Sequence, residues 1–233
     1  MGTQVSLHLR GPRVDTDPAV EPASAAVFGH LRAADELFST YRPDSQVSAL
    51  RRRDLPRDLW HPWVTEVVAL CEEARQRTDG YFDPWRLPGG FDPSGLVKGW
   101  AAENAAAHVT RLPGFDHYLN AGGDITAGVR GSQAPAWRVG VEDPADPSTF
   151  LAVLELRTGA LATSGSAARG PHIVDPHTGL HTAELLSVTV TGPALLWADV
   201  FATAAFARGG DDIEQWVSAR APGYEVAALA RAP

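Results

Sequence analysis

The sequence predicts a mixed α/β fold, in the α+β sense, built as one domain over residues 1–233, and three observations carry that expectation. Segments of alternating apolar residues are interleaved with segments of helical apolar spacing. No linker-like stretch divides the chain, and nothing repeats at a fixed period. Apolar residues fill 44% of the 233 positions, enough for a sizeable core.

Taken in order, Gln4 to Arg10 alternates polar and apolar residues and reads as a strand, followed by a Pro- and Asp-rich loop over Gly11 to Pro22. Ala23 to Phe38 places Val27, Leu31, Ala34, Leu37 and Phe38 at helical spacing, and STYRPDS ends that helix in a turn. A second helix fits Pro62 to Asp79, stopped by Gly80. YFDPWRLPGG and FDPSGLVKGW read as loops, with a helix from about Lys98 to Thr110. HYLNAGGDITAGVRG breaks two short strands at Gly122-Gly123, and WRVGVEDP is another strand. Phe150 to Leu156 and Gly159 to Ser164 form an expected hairpin around Arg157-Thr158-Gly159. HIVDPHTG reads as a strand running into a turn, and LLSVTVTG as a β-branched strand. Helices over Ala194 to Arg208 and Asp211 to Arg220 and a closing strand, YEVAALAR, complete the pattern.

Composition excludes several function classes. A net charge of −8 without a basic block, apart from Arg51 to Arg53, argues against a nucleic-acid surface. The opening MGTQVSLHLRG lacks the charged and apolar regions of a signal peptide, so a cytoplasmic location is expected. No stretch approaches the roughly 18 apolar residues of a membrane span. The one cysteine, Cys71, lies in a helical pattern and reads as a small buried apolar residue. Of 20 basic side chains only Lys98 is lysine, which leaves 19 arginines. A compact ammonium suits a tight site where a planar guanidinium does not, so Lys98 stands out.

The candidate chemistry lies where polar residues adjoin glycines, because glycine lets backbone N–H groups approach a ligand. In FDPSGLVKG, Asp92 and Lys98 flank Gly95, and Lys98 is expected to open a helix whose N-terminus favours anions. Asp199 and Thr203 are four apart on a helix and share a face, offering the hard oxygen donors that magnesium prefers. HIVDPHTG brings His172, Asp175 and His177 near one turn, and imidazole suits proton transfer near neutral pH. The chain has no HExxH, GxSxG, Walker lysine loop or GxGxxG after a strand, which removes zincin, hydrolase, P-loop and Rossmann readings.

In order, MGT, LFSTYRPDSQVSAL, TDGYFDP, FDPSGLVKGWAAE, YLNAGGDI, WRVGVEDP, LATSG, HIVDPHTG and SVTVTGPALLWADVFATAAF resemble one family over nearly the whole chain: the FAD:protein FMN transferases, or ApbE-like flavin transferases. The resemblance implies a mixed α/β architecture with the nucleotide in a cleft between subdomains. It implies FAD contacts from Met1, Tyr41, Tyr81, Phe82, Asp83, Asp92, Lys98 and Ile173. Asn120, Gly122, Gly123, Asp124, Thr163, Ser164 and Gly165 would line the flavin pocket. Magnesium would be held by the Gly95 carbonyl and the Asp199 and Thr203 side chains, with His172 and Asp199 in catalytic roles. The implied partner is an acceptor flavoprotein whose Ser or Thr hydroxyl takes FMN from FAD with release of AMP. An FAD pyrophosphatase and a non-catalytic FAD-binding or storage protein stand as alternatives.

Two departures from the family pattern bear on the pocket. Asp83 and Asp92 are separated by eight residues where roughly several tens are usual, and the six-residue SAARGP alone precedes His172 after TSG. Both shortenings are expected to open the flavin pocket or shift its contacts.

Overall fold

A computed structural model describes residues 2–87, 89–166, 170, 172–182 and 184–232. Its frame is a six-stranded antiparallel sheet in the order β1-β2-β3-β6-β7-β8: β1 Val5–Arg10, β2 Asp116–Ala121, β3 Asp124–Gly128, β6 Thr158–Gly165, β7 Leu185–Gly192 and β8 Glu225–Arg231. The helices are α1 Val20–Phe38, α2 Gln46–Arg52, α3 Pro62–Arg77, α4 Ser94–Thr110, α5 Leu195–Arg208 and α6 Ile213–Arg220. A separate two-stranded ribbon pairs β4 Trp137–Asp143 with β5 Asp146–Leu156.

Helices α4 and α5 lie together against the sheet, and α1 packs on α4. That position explains why both are apolar almost all round rather than striped. In α4, Leu96, Val97, Trp100, Ala101, Ala102, Ala105, Ala106 and Val109 are buried, and α5 buries eleven of its fourteen residues. Alanine dominates both, so the backbones approach closely. One close approach is at Gly99, where a Cβ would stand 2.8 Å from the Leu195 carbonyl oxygen and 3.0 Å from the Asp199 Cβ.

The helix that carries Lys98 begins earlier than expected, at Ser94. Asp92 Oδ1 accepts from the Ser94 N–H at 3.0 Å, and Pro93 precedes the first turn, both helix-start signals. Gly95 is therefore part of the first helical turn, and Lys98 lies one turn inside the helix rather than at its start. Helix α2 was not anticipated; Ser45 caps it by accepting from Ser48 N–H at 3.0 Å.

The expected hairpin of β5 and β6 does not form. β5 pairs with β4, while β6 pairs with β3 and β7, so the chain steps from the ribbon to the main sheet at Arg157. Burial decides the pairing: Val139, Val141 and Leu154 of the ribbon pack onto Ile125 and Leu161 of the sheet, making a second small core. The expected strand at HIVDPHTG reduces to one bridge between Val174 and His181. Asp175 takes its residues into a turn, accepting from the His177 N–H at 2.8 Å and the Thr178 hydroxyl at 3.0 Å. Cys71 is fully buried, as its helical setting suggested, and burial pushes its thiol up.

Two outcomes follow from this packing. Gly99→Ala gains helix propensity of about 1 kcal/mol but drives a methyl into the α5 backbone, for a net loss of roughly 2 kcal/mol. Urea denaturation reads this directly, and an unchanged midpoint would show that α4 and α5 are not locked there. His117 is buried on β2, and burial first, then Arg130, lower its pKa. Burial also lowers that of His30, with His108 adding to the effect. At these two histidines the folded state binds fewer protons than the unfolded chain, so the stability they govern is full above pH ~6.5 and declines as pH falls toward the folded values. His117→Asn should flatten that decline in urea titrations run across this range; an identical pH slope would remove His117 from the account.

Candidate active site

The site forms where α4, α5 and the β2–β3 hairpin meet. The hairpin turns on Gly122 and Gly123, with φ of 65° and 95°, between the paired residues Ala121 and Asp124. Both positive φ values call for glycine in a two-residue turn. Gly122 also lies tight against Thr3, and the Asn120 side chain accepts from the Gly123 N–H at 2.8 Å. This delivers Asp124 beneath α4 at the first position of β3.

Lys98 Nζ is 2.8 Å from Asp124 Oδ2 and 3.9 Å from Asp199 Oδ1. The other Asp199 oxygen accepts from the Gly99 N–H at 3.0 Å, across the contact between the helices. Thr163 N–H donates to Asp124 Oδ1 at 3.3 Å. Ser164 and Thr203 hydroxyls are 3.0 Å apart, and those of Thr163 and Thr189 are 2.9 Å apart. Asp124 is 0% and Asp199 1% exposed. Burial, and then the neighbouring Asp124, push the Asp199 carboxyl well up, while Lys98 opposes the rise. Burial likewise raises Asp124, against the pull of Lys98. Two carboxylates thus face one ammonium, an excess of negative charge that dry surroundings make costly.

These groups sit on one wall of a cleft of about 1310 Å³. Tyr41, Tyr81, Phe82, Asp83, Asp92, Gly95, Lys98, Asn120, Gly122, Gly123, Thr163, Ser164, Gly165, His172, Ile173, Asp199 and Thr203 all line it. Residues from five separate stretches of chain are therefore brought together. Asp124 is the exception: it lies behind the wall, in contact with Lys98, because β3 turns its side chain inward. Met1 lies outside the described residues.

Several of these side chains are already engaged. Asp92 is paired with Arg51 at 3.0 Å, and Arg51 Nε also donates to the Phe91 carbonyl at 2.7 Å. Asp83 accepts from Trp85 N–H at 2.9 Å. Tyr41 is 96% exposed at the rim. His172 Nδ1 is 2.9 Å from the Gly170 carbonyl oxygen. A carbonyl can only accept, so Nδ1 carries a proton, and in the neutral ring the lone pair is on Nε2. His177 instead holds the Asp79 carbonyl at 3.0 Å and stacks edge-on with Tyr81.

The cleft also contains residues that sequence reasoning missed. The β4 stretch Arg138 to Pro144 lines it continuously, and Asp35 and Phe38 reach it from α1. Arg138 and Lys98 are the two basic side chains on the described lining. WRVGVEDP reads as an ordinary strand, and no local signal marks it as a wall. Among the described residues no three His, Cys, Asp or Glu side chains group to hold a metal. The donors at the Asp199 wall are instead oxygens from a carboxylate, hydroxyls and the first turn of α4. In an α-helix the Gly99 N–H bonds the Gly95 carbonyl, and here it also bonds Asp199, which leaves Gly95 oxygen with acceptor capacity. A Gly95 Cβ would stand 3.5 Å from Thr203 Oγ1, so Gly95 and Thr203 adjoin, and Asp199 lies one helical turn before Thr203 on α5. Hard oxygens beside uncompensated negative charge fit magnesium rather than zinc.

A cleft of this size, with Lys98 and Asp199 on its wall and Asp124 behind them, has room for a large ligand and polar groups that converge on one point. The model of the ApbE family matches residues 1–88 and 86–228, and the chain belongs to that family. The FAD:protein FMN transferase of Klebsiella pneumoniae is 30% identical over 137 residues, which cover 54% of this chain and 39% of that protein. The match therefore spans less than half of that relative's length. The crystal structure of the ApbE protein from Thermotoga maritima superimposes with a TM-score of 0.82 at 21% identity, covering 99% of this chain and 94% of that one. The apo form of Pseudomonas stutzeri flavinyl transferase ApbE gives 0.77 at 19% identity, with the same coverage. The expected mixed α/β architecture is thus shared with solved members of the family.

Proposed function

We propose that residues 1–233 act as one FAD:protein FMN transferase unit, moving FMN from FAD to a Ser or Thr hydroxyl of an acceptor flavoprotein and releasing AMP. The observation that carries the reading is Asp199: a carboxylate 1% exposed, beside Lys98, on the wall of a cleft large enough for a dinucleotide. A buried carboxylate with little compensating charge is costly for a fold, and a bound cation would offset it. The names of the relatives, FAD:protein FMN transferase, point the same way.

In this reading the acceptor oxygen bonds the FMN-side phosphorus, the bond from that phosphorus to the AMP oxygen breaks, and AMP leaves. Asp199, Thr203 and the Gly95 carbonyl would hold magnesium. When bound, that ion would neutralise pyrophosphate oxygens as charge builds on the leaving group. Lys98 directs a compact positive charge into the same wall. In the neutral ring His172 gives its Nδ1 proton to the Gly170 carbonyl, which leaves the Nε2 lone pair to accept the acceptor hydroxyl's proton. Tyr81, Phe82 and Ile173 supply the flatter, less polar part of the cleft for flavin.

Incubation with FAD, Mg²⁺ and candidate flavoprotein subunits should add the mass of FMN to an acceptor and release AMP in equal amount. Asp199→Ala should lower that rate by at least about a hundredfold, in the range typical for loss of a group that stabilises transition-state charge. AMP accompanied by free FMN would assign the pyrophosphatase instead. Unchanged FAD retained by the protein would leave a binding role alone.

A further inference from the structure

Asp124 differs from Lys98 and Asp199 in one respect: it does not line the cleft. It is fully buried, and both of its oxygens are committed within the protein. Oδ1 accepts from Thr163 N–H at 3.3 Å, and Oδ2 is 2.8 Å from Lys98 Nζ. Its backbone is fixed as well, since it closes the Gly122-Gly123 hairpin opposite Ala121. A carboxylate held on both sides and out of reach of ligand serves another group rather than substrate.

Lys98 has a second carboxylate nearby, Asp199 Oδ1 at 3.9 Å. The two distances show which carboxylate holds the ammonium. A lysine side chain is flexible, and in a poorly solvated wall an ammonium released by one carboxylate is drawn strongly to the next. Contact with Asp199 would place a positive charge on the oxygen that a cation needs.

We infer that Asp124 is a positioning residue that holds Lys98 off Asp199 and so keeps the Asp199 carboxylate open to a divalent cation. The inference rests on the reading of Asp199 and Thr203 as cation donors. It assigns the two aspartates opposite duties: one neutralises the lysine, the other keeps its charge for the metal. The ammonium, anchored at the back, then faces the cleft from a fixed point.

The test measures metal binding without turnover. Mn²⁺ alone is titrated into the protein, and the free ion is followed by its electron paramagnetic resonance signal. Asp124→Asn should weaken binding by about tenfold or more, the scale of lost support around a metal ligand. Lys98→Met should bind at least as tightly as the wild type, since it removes the competing cation. The double variant Asp124→Asn/Lys98→Met should recover the affinity that Asp124→Asn loses. A crystal structure of Asp124→Asn should show Nζ moved into hydrogen-bonding distance of Asp199. Undiminished binding by Asp124→Asn overturns the inference, and so does a double variant as weak as the single one, which is what a merely structural role predicts. If Asp124→Asn does not fold, Lys98→Met decides alone, and weaker binding there overturns the inference. Failure of the underlying reading looks different: the wild type binds no Mn²⁺, or Asp199→Ala binds it fully.

Discussion

The rest of the structure depends on the close approach of α4 and α5 at Gly99. A hydrogen atom in place of a side chain lets the Leu195 carbonyl and the Asp199 Cβ come within contact of one helix backbone. That contact buries Asp199, gives its carboxylate an N–H donor, and sets Lys98 at its side. Both helices are alanine-rich because larger side chains would hold them apart. The cost of burying charge is met by geometry that a looser pair of helices would not provide.

From that contact the electrostatics follow. Two buried carboxylates share one ammonium, and each is displaced upward in pKa by its dry surroundings. A fold selected for stability alone has little use for such an arrangement, since an apolar cluster of the same volume would serve as well or better. Its position on the wall of a large cleft gives the cost a purpose. The remaining walls are lent by elements that pack for other reasons. The ribbon of β4 and β5 covers the small core of Ile125 and Leu161, and in doing so lays Arg138 to Pro144 along the cleft.

The segment between Asp83 and Asp92 shows how the pocket rim is kept together with few residues. Asp92 N–H donates to the Pro84 carbonyl at 2.8 Å, and Arg51 clasps both Phe91 and Asp92. Helix α2, which brings Arg51 there, carries no strong apolar period, and its start depends on a serine cap. Arg51 itself stood in the sequence as part of a basic run with nothing to mark it. Local pattern cannot reveal a residue whose partner is 41 positions away.

Much of the fold was legible because period and punctuation are local. The alternation of β1 and β7, the helical faces of α1 and α3, the glycines of the β2–β3 turn and the i, i+4 pairing of Asp199 with Thr203 all follow from neighbouring residues. Ordered motifs likewise marked which loops would carry the site, and those loops do converge on one cleft. What tertiary structure alone decided is partnership. β5 turned to β4 rather than to β6, because the ribbon had a small core to cover. Lys98 lies inside a helix rather than at its start, and answers to Asp124 more closely than to Asp199. Asp124 itself passed from the pocket wall to the layer behind it. Each of these outcomes is set by burial and charge between residues far apart in the chain, and such terms take their values only after the elements have packed.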